Sequence, residues 1–202
     1  MVGYAPSLKA KMNKTLRNVL IVLGILIVLI APIISSYNKM VSLDQKVKRA
    51  ESNIDSDLQR RSDLIPNLVE TVKGYAKQEK DVFTDIANAR AKLGGAQNIT
   101  DRANADNELS SALSRLLVVV ERYPELKSNE NFRSLMIQLE GTENRINIAR
   151  KDYNSTVDEY NSTIKGFPKS IIASIFRFEE KSYYKASEGA KVVPKVDFNV
   201  GK

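Results

Sequence analysis

Two hydrophobic patterns follow one another along this chain. Between Asn18 and Asn38 no residue is charged, and Val19 to Ile34 is apolar all round except for Gly24 and Pro32. A hydrocarbon core ~30 Å thick is crossed by ~20 helical residues, so this stretch predicts a single spanning helix. A cleaved signal peptide is the rival reading. It needs small residues three and one positions before the cut, and cuts after Ala31 or Ser36 would put Leu29 or Ile34 at the first of these.

Beyond the span the apolar positions narrow to one stripe. Val47, Ala50, Ile54, Leu58, Arg61, Ile65, Leu68 and Val72 recur at steps of three and four, and the rhythm continues through Tyr75, Glu79, Val82, Ile86, Ala89 and Leu93. That is a heptad seam, and it predicts one long helix over 44–93, distorted near Pro66 and stopped by a left-handed cap at Gly94-Gly95. A second helix reads from about Asp101 to Tyr123, with Thr100 or Asp101 as N-cap and Leu109, Leu113, Leu116 and Val120 on one face. A third begins at Ser128 or Asn129 and runs through Phe132, Leu135, Leu139, Ile146, Ala149, Tyr153 and Tyr160 to Ile164. Ser170 to Phe176 offers a short fourth helical piece, and the end from Ser187 has no helical period.

No strand pattern competes, so the fold expected is all-α: an antiparallel up-and-down helical bundle preceded by one transmembrane helix. The domain plan is a basic tail over 1–17, the anchor over 18–38, the bundle over 39–186 and an extended tail over 187–202. Matching helix lengths leaves residues 44–60 without a partner among the first three helices. The stripe Val47, Ala50, Ile54 and Leu58 is therefore expected to meet a second chain or a partner rather than a folded-back C-terminal segment.

Charge and composition narrow the function. The chain has no Cys and no His, which removes thiolate nucleophiles, zinc fingers, haem-His ligation and every Ser-His-Asp or Cys-His site. Four of the net +7 charges lie in the first 36 residues, at Lys9, Lys11, Lys14 and Arg17, without an acid among them. This purely basic flank points to a cytoplasmic N-terminus with the bundle outside, although Lys39, Lys46, Lys48 and Arg49 flank the other side. In the body, basic and acidic residues nearly balance and no aromatic-basic interleaving provides a stacking platform, so nucleic acid is not an expected partner.

Several motifs carry a family resemblance. The run Gln59-Arg60-Arg61-Ser62-Asp63-Leu64-Ile65-Pro66-Asn67-Leu68-Val69-Glu70-Thr71-Val72-Lys73-Gly74-Tyr75-Ala76 closely resembles the signature of the LemA family of bacterial membrane-anchored proteins. Glu121-Arg122-Tyr123-Pro124-Glu125-Leu126-Lys127, Glu140-Gly141-Thr142-Glu143-Asn144-Arg145-Ile146 and Arg150-Lys151-Asp152-Tyr153-Asn154 agree with it. So do Gly166-Phe167-Pro168 and Pro194-Lys195-Val196-Asp197-Phe198. Ser62 stands where an aromatic residue is usual and Gln78 where a His is common. The resemblance implies a membrane-anchored helical bundle and no established enzymatic activity.

The candidate site residues form two polar groups. Arg60, Arg61 and Asp63 precede Pro66 and Asn67; Arg61 falls on the seam, either as a clamp for a partner's carboxylate or a lipid phosphate, or as an internal ion pair setting helix register. Pro66 cannot bond the carbonyl of Ser62, and Asn67 is placed to satisfy freed backbone groups. Glu143, Asn144, Arg150, Tyr153 and Asn154 share one helix, as a small polar pocket or an ion-pair ladder. A di-iron bundle site would need Glu-x-x-His pairs, and no loop resembles an EF-hand, so no metal or cofactor is expected.

The function expected is an interaction scaffold, tethered to the lipid bilayer by its N-terminal helix, that recruits or stabilises another membrane or envelope protein. A self-associating structural protein, working as a homo-oligomer, is the alternative. A hydrolase of Ser-Lys or two-carboxylate type is open to a chain without His or Cys, but nothing marks a nucleophile elbow or paired acids in a cleft.

Overall fold

The computed structural model describes residues 13–185. Six helices and no strand occur among them: α1 (Lys14–Lys73), α2 (Lys80–Gly95), α3 (Ile99–Val120), α4 (Pro124–Ser128), α5 (Glu130–Lys165) and α6 (Lys169–Ile175). The expected all-α bundle is therefore the fold observed. Residues 1–12 and 186–202 lie outside the described residues, and with them the whole of the expected extended tail.

α1 passes without interruption from the apolar run into the body. Its most apolar stretch has a mean hydropathy of 2.9 over 18 residues, none of them buried. The helix is long and apolar enough to cross a membrane. Burial begins abruptly at Met40 and continues through Leu43, Val47, Ile54, Leu58, Arg61, Ile65, Leu68 and Val72.

The long helix expected over 44–93 is broken. At Gly74 the chain leaves α1 through a tight turn in which the Tyr75 amide donates to Val72 O (3.0 Å) and the Glu79 amide to Ala76 O (3.2 Å). Glycine carries the largest backbone-entropy cost in a helix, and here it is followed closely by the polar, mostly exposed run Lys77 to Lys80. The turn also shifts the phase of the seam: Ala76 and Phe83 are buried in place of Tyr75 and Val82.

After the turn α2 runs back beside α1. Arg90 Nε donates to Ser62 O at 3.0 Å and to Ser62 Oγ at 3.1 Å. Pro66 has no amide to offer that carbonyl, so Arg90 takes the proton-donor role that the helix itself lacks. This corrects the assignment of that task to Asn67, which is exposed, and α1 neither ends nor breaks at Pro66.

Gly94 and Gly95 close α2, but with no left-handed residue; Ala96 leaves in an extended conformation. Asn98, two or three residues earlier than expected, caps α3 by accepting from the Asp101 amide at 2.9 Å. Asn129 caps α5 as its sequence suggested, accepting from the Phe132 amide at 3.0 Å.

α3 climbs parallel to α1, with Arg102 paired to Glu51 (2.7 Å) and Asp55 (3.2 Å) low on α1 and Arg122 paired to Glu79 (2.8 Å) at the far end. α4 turns the corner, and α5 descends the length of α1 from the level of Tyr75 to Lys39, which pairs with Glu159 at 3.1 Å. This descent overturns the expectation for residues 44–60. α5 spans 36 residues and lines the stripe from within the same chain, so Val47, Ile54 and Leu58 are buried and Ala50 is half-buried. The stripe does not face a second chain.

The C-terminal residues 179–185 also fold back, as an extended strap along α5. Asn161 donates to Lys181 O and accepts from the Lys181 amide, both at 2.9 Å. One heptad earlier Asn154 repeats the pattern with Tyr184, at 2.9 and 2.8 Å. A side-chain amide has the donor and acceptor of a peptide group, so two asparagines a heptad apart hold an extended chain without a sheet.

Candidate functional site

The seam of α1 carries one charge inward. Arg61 sits among leucines and isoleucines with 6% of its surface exposed, and burial pushes its guanidinium below the usual arginine range, opposed by the nearby Glu143 and Tyr184. An unpaired charge here would cost several kcal/mol, on the order of that for any buried ion.

Its partner is Asp106 on α3, which is completely buried. Arg61 Nη1 lies 2.9 Å from Asp106 Oδ1 and 2.9 Å from Glu143 Oε2 on α5. Arg150, two helical turns below Glu143 on α5, bonds the other oxygen of Asp106 through Nη2. The Tyr184 hydroxyl of the strap donates to that same oxygen at 3.0 Å, and the Arg150 guanidinium lies over the Tyr184 ring, 4.9 Å from its centroid. Two cations and two carboxylates cancel, and one carboxylate ties α1, α3, α5 and the strap together. Burial raises the pKa of the Tyr184 phenol, which stays a proton donor; Arg150 and Arg61 act in the opposite direction.

Tyr153 and Asn154 serve the strap next to this network. The Tyr153 hydroxyl donates to Ser182 O at 2.9 Å, and its pKa is pushed up to about 12 by burial, reinforced by Glu51. Tyr160 holds Glu179 O in the same way at 3.0 Å.

Of the residues singled out in the sequence, the structure gathers Arg61, Glu143, Arg150, Tyr153 and Asn154. Arg60, Asp63, Pro66, Asn67 and Asn144 are exposed and take no part; Asp63 accepts from Gln59 Nε2 at 2.8 Å on the surface of α1. Asp106 and Tyr184 were missed. Asp106 had a signal: Ala103, Asp106, Leu109, Leu113 and Leu116 follow one another on the buried face of α3, so stepping back one turn from Leu109 lands on a carboxylate. Tyr184 had none.

Above the network a groove of about 490 Å³ lies between α3 and α5. Leu68 of α1 forms part of its floor, Leu113 and Leu117 one wall, Met136 and Ile137 the other, and Arg61 with Glu143 its inner end. Leu117, Val118 and Ile137 are exposed at or near its rim. An apolar trough with a few convergent polar groups at one end is the form that ligand and peptide sites take. A larger, polar hollow of about 940 Å³ lies between α2 and α3. It is lined by mixed charges and small residues without an apolar anchor. Among the described residues no three acidic side chains converge as a metal ligand set.

Comparison with known proteins places this architecture. A family model described as "LemA family" matches residues 50–198. Magnetosome protein MamQ 2 of Paramagnetospirillum magneticum is 28% identical, with 77% of this chain and 66% of that protein covered. Magnetosome protein MamQ of Magnetospirillum gryphiswaldense is 25% identical over 79% of this chain and 68% of its own length. Protein LemA of Metamycoplasma hominis is 22% identical over 77% of this chain and 71% of its own. The chain thus spans just under two thirds of the first of these relatives.

Proposed function

From the premise that the chain belongs to the LemA family, we propose that it is a membrane-anchored helical bundle without a catalytic role, which recruits or stabilises another membrane or envelope protein. The apolar part of α1 is the anchor, and its basic flank supports a cytoplasmic N-terminus with the bundle on the other side. The MamQ relatives are named as magnetosome proteins.

The observation that carries the reading is the groove between α3 and α5. It exposes Leu117 and Ile137 along an apolar trough, and its charged end is joined to the buried network through Arg61 and Glu143. An amphipathic helix or apolar peptide segment of the partner suits such a trough, with a donor or carboxylate meeting Glu143 and Arg61.

The test is crosslinking in intact membranes, comparing the wild-type chain with a Leu117→Lys, Ile137→Lys double variant. Both positions are exposed, so the helical signal and thermal unfolding should not change. The reading expects a foreign membrane protein crosslinked to the wild type and lost from the variant. Undiminished recovery would sink it. Crosslinks between copies that vanish in the variant would instead support the self-associating alternative, which the same exposed rim favours.

A further inference from the structure

α6 and the turn before it present a second apolar surface, at the opposite end of the bundle from the groove. Phe167 is 85% exposed, Ile175 69%, Ile171 54% and Phe176 49%, while Ile172 and Ala173 of the same short helix are buried in the body. α6 is therefore held firmly by one face and offers the other outward. Its place in the fold is marked by Tyr37 of α1, whose ring lies 4.8 Å from that of Phe176 and 5.7 Å from that of Phe178. Tyr37 is three residues beyond Ile34, the last residue of the apolar run, a rise of only ~4.5 Å along the helix. The exposed face of α6 thus lies level with the end of the apolar run.

Within the segment itself the charges have one sign, although Asp158 and Glu159 of α5 line the hollow beside Phe167 and Lys169. From Lys165 to Phe178 the segment contains Lys165, Lys169 and Arg177 and no acid. Lys165 is paired with Glu180 at 2.6 Å, and Lys169 and Arg177 have no acidic partner among the described residues. Exposed Phe and Ile flanked by unpaired cations, at the level where a spanning helix leaves the hydrocarbon, is the pattern of an interfacial segment.

We propose that the Phe167 turn and α6 sit in the interfacial layer of the bilayer, their apolar side chains at the acyl boundary and Lys169 and Arg177 among anionic headgroups. The occupant of this surface is lipid, because the face is continuous with the apolar surface of α1. The inference rests on the reading of α1 as an anchor. It adds that the bundle stands directly on the membrane at two points, which fixes its tilt and the direction in which the α3–α5 groove faces.

The chain contains no Trp, so single tryptophans report cleanly. Full-length chain carrying Ile171→Trp is reconstituted in phosphatidylcholine–phosphatidylglycerol vesicles with acyl-brominated lipid, next to Ile148→Trp, an exposed position on the body, far from α6. Vesicle flotation is read on the same samples. Co-flotation with several-fold stronger bromine quenching at Ile171→Trp than at Ile148→Trp supports the contact. Co-flotation with equal quenching overturns it and leaves the anchor reading intact. Failure to float overturns both.

Discussion

The two parts of α1 are equally helical but made for different surroundings. From Leu16 to Ile34 the large apolar side chains point in every direction and all are exposed in the isolated chain; from Met40 to Val72 they form one stripe, and that stripe is buried. A helix apolar all round has no face to give to water, whereas a striped helix needs only a neighbouring helix. The same contrast governs charge. From Asn18 to Asn38 there is none, while the striped part carries Arg61 into the core because the carboxylates of Asp106 and Glu143 are there to meet it.

The largest effect is expected where the striped part depends on a partner. Asp106→Ala would leave Arg61 and Arg150 buried without their carboxylate and should cost about 3–5 kcal/mol, read as a fall in the urea midpoint of the full chain in detergent. Flotation with vesicles should be unaffected. A loss under about 1 kcal/mol would mean that water reaches the two guanidinium groups and that the network does not bind the helices together.

The reciprocal change is Val28→Arg, in the middle of the all-round part. A cation at the bilayer centre costs about 2.5–3.5 kcal/mol on insertion scales, so vesicle association should drop sharply while the body keeps its unfolding transition. Unaltered flotation would end the anchor reading.

The smallest effect separates the two parts by pH. Burial raises the pKa of Tyr184 and takes that of Tyr153 to about 12. An unfolded tyrosine ionises near ~10. The fold holds these protons longer than the unfolded chain does, so the stability they contribute is complete below pH ~10 and is lost as pH rises from there towards 12. The body should therefore loosen under alkali, the strap over 179–185 first, while the described part of α1 before Tyr37 contains no tyrosine to respond. Tyr153→Phe should flatten the alkaline limb of the unfolding profile; an unchanged limb would place the sensitivity elsewhere.

The apolar anchor, the helical class and most helix ends could be read from the chain itself, because hydrophobic period, proline and capping residues act within a few positions of one another. Arg61 and the Glu143–Asn154 group were legible for the same reason, as polar residues interrupting or flanking a periodic face. Three features depended on distance in sequence. The break at Gly74 hides in a seam whose rhythm runs on in phase through Tyr75 and Glu79, and only the return of α2 along α1 shows that Ala76 and Phe83 are the residues buried. Asp106 lies 45 positions from Arg61 and Tyr184 lies 78 from Asp106, so no local pattern could join them. The cover over residues 44–60 came from α5 and the strap because α5 continues down past the start of α3, to Lys39. Local spacing decides which face of each helix is apolar; which faces meet depends on helix lengths and turns acting together, and on finding a partner for every buried charge.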